Sequence, residues 1–247
     1  MLMKVCEAKE KLIIALDVDR ASRAFSLVER LNPFAGMFKI GMELFYSQGP
    51  PVVEGLIRRR GRVFLDLKLH DIPHTVARTS RVLTRLGVAM FNVHAAGGRD
   101  MMRAAVESAG EAAAAMGVNR PLVIAVTVLT SINQQAFTRE LGLDGSILDR
   151  VVAWALLARE CGLDGVVASA REAAAIRQAC GPDFVIVAPG IRPAGADAGD
   201  QKRVMTPSQA LAAGASHLVV GRPVIAAPDP VEVARNLLRE IEEGNNG

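Results

Sequence analysis

Eight apolar runs, each followed by a stretch with helical spacing, recur along a chain of 247 residues. The runs are continuous rather than alternating, as strands buried on both faces are. Strands that alternate with helices form a parallel sheet, and eight such units close it, so the sequence predicts an α/β fold, a (β/α)8 TIM barrel. The length suits one such domain spanning residues 1–247. The rival, an open doubly wound sheet, is expected to carry a G-x-G-x-x-G turn after its first strand. Asp17-Val18-Asp19-Arg20 is not one.

Lys11 to Asp19, KLIIALDVD, reads as the first strand, and Ala21 to Leu31 as its helix, with Phe25, Leu27, Val28 and Leu31 on the apolar side. Met37 to Leu44 is the second strand; Pro51 to Arg60 is a helix that Gly61 ends. Arg62 to Leu69 and Pro73 to Leu86 form the third unit, with Pro73 placed where a helix tolerates a missing N–H. Met90 to Ala95 is the fourth strand, followed by an Ala-rich helix from about Arg99 to Met116 whose Met101 and Met102 read as core. Leu122 to Leu129 is β-branched, unbroken and bounded by Pro121 and Thr130-Ser131. Gln134 to Cys161 holds one short and one long helix. Asp164 to Ser169 and Arg171 to Ala179 form the sixth unit, and Phe184 to Ala188 is the seventh strand. After the Gly/Ala/Asp-rich loop Ile191 to Arg203, Thr206-Pro207-Ser208-Gln209 reads as a capping box, His217 to Val220 as the eighth strand, and Asp229-Pro230 as the start of the last helix.

Composition narrows the function. A net charge of +3 is too weak a bias to argue for nucleic acid, although a pI near 9.0 suits anionic small molecules. Arg58-Arg59-Arg60 reads as a solvated helix end. No apolar run approaches the ~18 residues of a membrane span. The three cysteines, Cys6, Cys161 and Cys180, have no paired spacing, and the N-terminus lacks the apolar core of a signal peptide. The expectation is a cytoplasmic protein.

The most informative stretch is Asp66 to Thr75, DLKLHDIPHT. On a regular strand Asp66 and Lys68 share a face, and Asp71 comes where the strand gives way to a loop. Two carboxylates ~4 Å apart repel by about 4 kcal/mol at an effective dielectric near 20, so a cation belongs between them. A D-x-K alone is more often a structural ion pair. Here, however, polar residues end nearly every strand: Asp17, Lys39, Asp66, Lys68, Asp71, His94, Thr130-Ser131, Arg192 and Arg222. That distribution favours a site at the carboxyl mouth. Gly190-Ile191-Arg192 and Gly221-Arg222 read as a phosphate cradle after strands seven and eight. Gly admits close approach of an anion, Arg supplies a forked donor, and Pro223 suits a short helix. His70 and His74 have metal-pair spacing, but Pro73 lies between them and no third ligand is apparent, so no metal site is expected. His94 reads as a hydrogen-bonded strand-end residue.

The segments LDVD, FKIG, DLKLHDIPHT, VTVLTS, PGIRP and VVGRP, in this order from Asp17 to Arg222, resemble the orotidine 5'-phosphate decarboxylases. The DxKxxD core is shared with other sugar-phosphate barrels; Ile72-Pro73-x-Thr75 is more particular. The resemblance implies decarboxylation of orotidine 5'-monophosphate to uridine 5'-monophosphate in pyrimidine biosynthesis, with no cofactor. It implies that Asp17 and Lys39 contact the ribose and that Asp66 and Lys68 face the reacting carbon. It places Asp71 and Thr75 in the neighbouring site of a homodimer with shared active sites. Thr130 and Ser131 would lie by the nucleotide, and Arg192, Gln201, Gly221 and Arg222 would hold its phosphate. Lys68 would stabilise and protonate the ring carbanion, aimed by Asp66 and Asp71, and the Ile191–Arg203 loop would close as a lid. One alternative is a metal-dependent sugar-phosphate aldolase or decarboxylase of the same superfamily, whose relatives carry an acid where Lys39 stands. The other is a barrel that only binds nucleotides or a partner protein.

Overall fold

The structure, a computed structural model, describes residues 2–193 and 205–244. Eight parallel strands close into a barrel in sequence order. They are β1 (Leu12–Ala15), β2 (Met37–Ile40), β3 (Val63–Leu69), β4 (Met90–His94), β5 (Leu122–Val126), β6 (Gly165–Val167), β7 (Val185–Ala188) and β8 (His217–Val220). β8 pairs back onto β1, with Leu12 opposite Leu218 and Ile14 opposite Val220. The expected fold class is therefore the observed one.

The helices are α1 (Leu2–Lys11), α2 (Ala21–Leu31), α3 (Met42–Gln48), α4 (Pro50–Arg58), α5 (Pro73–Arg85), α6 (Gly98–Met116), α7 (Gln134–Arg139), α8 (Ile147–Glu160), α9 (Ala173–Cys180), α10 (Pro207–Ala212), α11 (Arg222–Ile225) and α12 (Pro230–Gly244). Several begin where their caps dictate. Thr206 and Gln209 make the reciprocal bonds of a capping box ahead of Pro207. Asp229 accepts from the Val231 and Glu232 amides at the start of α12. Pro73 occupies the first turn of α5, where its missing N–H costs nothing. Among the described residues, no helix is long and apolar enough to cross a membrane.

Two elements depart from the sequence expectation. The charged N-terminal stretch forms α1, which packs chiefly on α12. Its end meets the chain at Gly36, where a Cβ would lie 2.7 Å from the Glu10 Cα. Met42 to Leu44 do not extend β2; they open α3, because the backbone turns at Gly41, the N-cap.

Apolar packing falls into two bodies. The larger lies between the barrel wall and the surrounding helices and includes Phe38, Phe91 and Phe137. The smaller fills the barrel itself: Ile13, Ala15, Met37, Phe64, Met90, Ile124, Val187 and Val219. These residues set which later side chains of each strand also point inward. With period-2 alternation, Lys39 lies one inward step beyond Met37, Asp66 one beyond Phe64, and Asn92 one beyond Met90. The apolar plug thus forms the floor on which a polar layer stands.

Candidate active site

Three adjacent strands supply that polar layer. Lys39 Nζ lies 3.3 Å from Asp17 Oδ1 and 3.4 Å from Asp66 Oδ2, and Lys68 Nζ lies 2.6 Å from Asp66 Oδ1. The result is a chain of alternating charge, Asp17–Lys39–Asp66–Lys68, running from the end of β1 to the end of β3. Asp66 is its hub. Burial pushes the Asp66 carboxyl up, but the Lys39 and Lys68 charges and the hydrogen bonds from Lys68 and Asn92 outweigh it and hold the carboxyl below its usual range.

Lys68 does not reach this position by regular strand geometry. Between β3 and β4 the register pairs Leu65 with Phe91 but Leu69 with Val93, so four residues of β3 advance against two of β4. Lys68, inside this bulge, has φ of 54°. A lysine in the left-handed region is strained, and such strain persists only where surrounding contacts hold it. The expected meeting of Asp66 and Lys68 is observed, but its cause is the bulge rather than simple alternation. Asn92, which belongs to none of the sequence motifs, spans the bulge. Its Oδ1 accepts from the Lys68 amide at 2.8 Å, and its Nδ2 donates to Asp66 Oδ1 at 2.7 Å.

Three contiguous hollows share this cluster. One of about 190 Å3 is walled by Phe64, Val126, Val128, Leu129, Thr130, Val167 and Val187, with Lys39, Asp66 and Lys68 on its charged side. It could take a flat, partly apolar ring. A second, of about 220 Å3, runs from Lys39 and Asp66 towards Gly190, Arg192, Gly221 and Arg222. A third, of about 250 Å3, opens past Asp17 towards Gly41 and Met42. At the β7–β8 rim, burial and the neighbouring Arg222 charge depress the Arg192 guanidinium, so two cations share one cleft and an anion there relieves both. Gly190 turns with φ of 78°. At Gly221 a Cβ would come within 3.1 Å of Asp17 Oδ2, so a side chain there would crowd the cleft.

The remaining expected residues scatter. Asp71 does not complete the cluster within this chain. It is exposed, its Oδ1 accepts from the Ile72 amide at 2.7 Å, and among the described residues it makes no ion pair. The local bond and the immediate start of α5 turn it outward, so one chain does not gather both acids around Lys68. Thr75, in the first turn of α5, is also exposed. Thr130 lines the ring-sized hollow, whereas Ser131 beside it faces solvent. Gln201 and most of the expected lid lie outside the described residues; an Ile191–Met205 bridge marks the two ends of that stretch. His70 stacks on His94, ring centroids 5.2 Å apart, rather than pairing with His74. Burial, together with His70 and Lys68, lowers the His94 imidazole, whose Nδ1 accepts from the Ala96 amide.

A (β/α)8 barrel with an acid–lysine relay at its carboxyl mouth, opposite an arginine-lined rim, defines a class: barrel enzymes acting on phosphate-bearing substrates. The chain belongs to the orotidine 5'-phosphate decarboxylase / HUMPS family, whose model matches residues 10–237. It is 58% identical over 235 residues to the orotidine 5'-phosphate decarboxylase of Moorella thermoacetica, covering 95% of this chain and 93% of that protein. It is 55% identical to the decarboxylase of Syntrophomonas wolfei, covering 96% of this chain and all of the relative. Among solved structures, orotidine 5'-phosphate decarboxylase from Lactobacillus acidophilus superposes with a TM-score of 0.83 at 35% identity, over 93% of this chain and 98% of that one.

Proposed function

We propose that this chain decarboxylates orotidine 5'-monophosphate to uridine 5'-monophosphate, a step of pyrimidine biosynthesis, with Lys68 as the group that meets the reacting carbon. The observation that carries the reading is the Lys68 ammonium, 2.6 Å from Asp66 on the wall of a ring-sized hollow that continues to two arginines. The phosphate docks at Arg192, Gly221 and Arg222, with Gln201 assigned there by family likeness. The ribose lies along Asp17 and Lys39, and the pyrimidine enters between Thr130 and the apolar wall, with Ser131 at its edge.

The bond from ring carbon to carboxylate breaks, carbon dioxide leaves, and the electron pair stays on the ring carbon. Lys68 stabilises that pair across a short, preorganised distance and then gives it a proton, which solvent later restores. Asp66 holds the ammonium in place through the transition. Asp71, Ile72 and Thr75 are exposed beside the mouth, which supports a homodimer in which Asp71 and Thr75 complete the neighbouring site.

The metal-dependent alternative meets a local obstacle. Lys39 already stands between the Asp17 and Asp66 carboxylates, where a bound cation would have to sit. Mixing the protein with orotidine monophosphate and following the loss of ultraviolet absorbance is the direct test. Turnover that survives exhaustive EDTA treatment is expected. No turnover, or turnover abolished by EDTA and restored by a divalent ion, would overturn the reading.

A further inference from the structure

Lys68 sits in the left-handed region, and backbone strain there persists only where surrounding contacts hold it. Asn92 is only 1% exposed, a polar side chain sealed inside the barrel wall. A buried amide without partners is costly, so its donor and acceptor must be satisfied. Asn92 spends its hydrogen bonds on two atoms only two residues apart on β3: the Lys68 backbone amide and the Asp66 carboxylate. Neither bond belongs to the regular sheet, because the β3–β4 ladder is broken between Leu65 and Leu69. The side chain thus takes the place of the missing ladder bonds. Asn92 does not line the hollow beside Lys68, so it acts through its neighbours.

We infer that Asn92 is a positioning residue for the reaction: its amide clamps the β3 bulge, fixes Lys68 in its left-handed conformation and holds Asp66 Oδ1 against the lysine ammonium. The inference rests on the decarboxylase reading for its kinetic test, but its geometric half stands apart from that reading. The two ends of the amide have separate tasks. Oδ1 sets the backbone from which Lys68 projects. Nδ2 supports the charged form of Asp66, one of the influences that hold its carboxyl low. Neither leucine nor alanine could do both.

Two variants separate these tasks. Asn92→Ala removes both bonds. Because misplacing a reacting group by about 1 Å can cost on the order of 100-fold, kcat is expected to fall by about 10- to 100-fold with KM little changed. The acid limb of the kcat profile should move to higher pH, as Asp66 loses a donor. Asn92→Asp keeps an acceptor for the Lys68 amide but sets a second carboxylate against Asp66, so its acid limb should move further still. It also serves if the alanine variant fails to fold. In crystals of Asn92→Ala, Lys68 should relax from its positive φ and its ammonium should leave Asp66. Unchanged kcat per folded molecule with an unmoved pH profile, or Lys68 keeping its φ and its contact without the amide, would overturn the proposal. Absence of turnover in the parent protein would instead indict the decarboxylase reading, and Lys68 geometry and an Asp66 titration followed by carboxylate NMR would still judge the clamp.

Discussion

At the carboxyl mouth of the barrel, Asp66 is half-buried among two ammonium groups and an amide donor. At the opposite end, His217, the first residue of β8, is half-buried beside Arg62, Glu10 and Lys11. Its Nδ1 has no hydrogen-bond partner among the described residues. The same loss of solvent has opposite outcomes. Asp66 keeps its charge because compensating groups outweigh desolvation. The His217 imidazole is pushed down to about 4, chiefly by burial and then by Arg62, with Lys11 adding and Glu10 opposing. Burial does not itself choose the protonation state; the partners do. One end thereby keeps a charged carboxylate, while the other holds a neutral imidazole that becomes a liability in acid.

The largest effect expected from breaking the charged end comes from Lys68→Ala. On the proposed mechanism it removes both the electrostatic stabilisation and the proton donor, so kcat should fall by roughly four orders of magnitude. Circular dichroism and the melting curve should still report a folded protein. Mixing this variant with Asp71→Ala should restore measurable turnover if the two residues serve one site from different subunits. Near-normal decarboxylation by Lys68→Ala alone would remove the lysine from the mechanism.

A smaller effect is expected at the rim. Arg222→Ala deletes one of two cations in the cleft and spares the relay. A hydrogen bond to a charged group contributes about 1.5–3 kcal/mol, so KM should rise by about 10- to 100-fold. Because remote binding energy also steadies the reacting end, kcat should decline too, but less. A nucleoside lacking the phosphate should be indifferent to the substitution; equal losses on both substrates would mean that Arg222 does not hold the phosphate.

The contrast also shows how much a sequence discloses. The barrel is legible because its evidence is redundant: eight unbroken apolar runs agree, and errors at their ends do not matter. Met42 to Leu44 reads wrongly as strand because an apolar run cannot reveal that Gly41 turns the backbone out of β2. The relay is legible in residue type, as acids and lysines gather where strands end. Its geometry is not, because the bulge that brings Lys68 onto Asp66 has no mark in the sequence: D-x-K looks the same on a regular strand. Asn92 leaves a readable trace, a polar residue two beyond an inward-facing Met90 and level with Asp66, yet within an apolar run it passes as filler. Spacing puts Asp71 near the cluster, but within one chain it is exposed and its Oδ1 accepts from the Ile72 amide, a local bond that spacing does not disclose.

The smallest expected effect lies at the floor and concerns stability rather than turnover. Unfolding returns His217 to a pKa near 6.5, while the folded protein holds it to about 4. Between these values the unfolded chain binds a proton that the folded chain refuses, so the contribution of His217 to stability is flat above pH 6.5 and falls as pH drops towards 4. The full difference corresponds to about 3 kcal/mol. His217→Gln has no titrating group there, so its melting temperature should decline less than the parent's over that window, while the two run parallel above it. Activity at neutral pH should be unchanged, because His217 is separated from the relay by the apolar plug of Met37, Phe64 and Met90. Parallel curves throughout the acid range would mean that the imidazole finds a partner on protonation, with Glu10 the group placed to provide it. The floor would then compensate buried charge much as the mouth does, and the contrast between the two ends would dissolve.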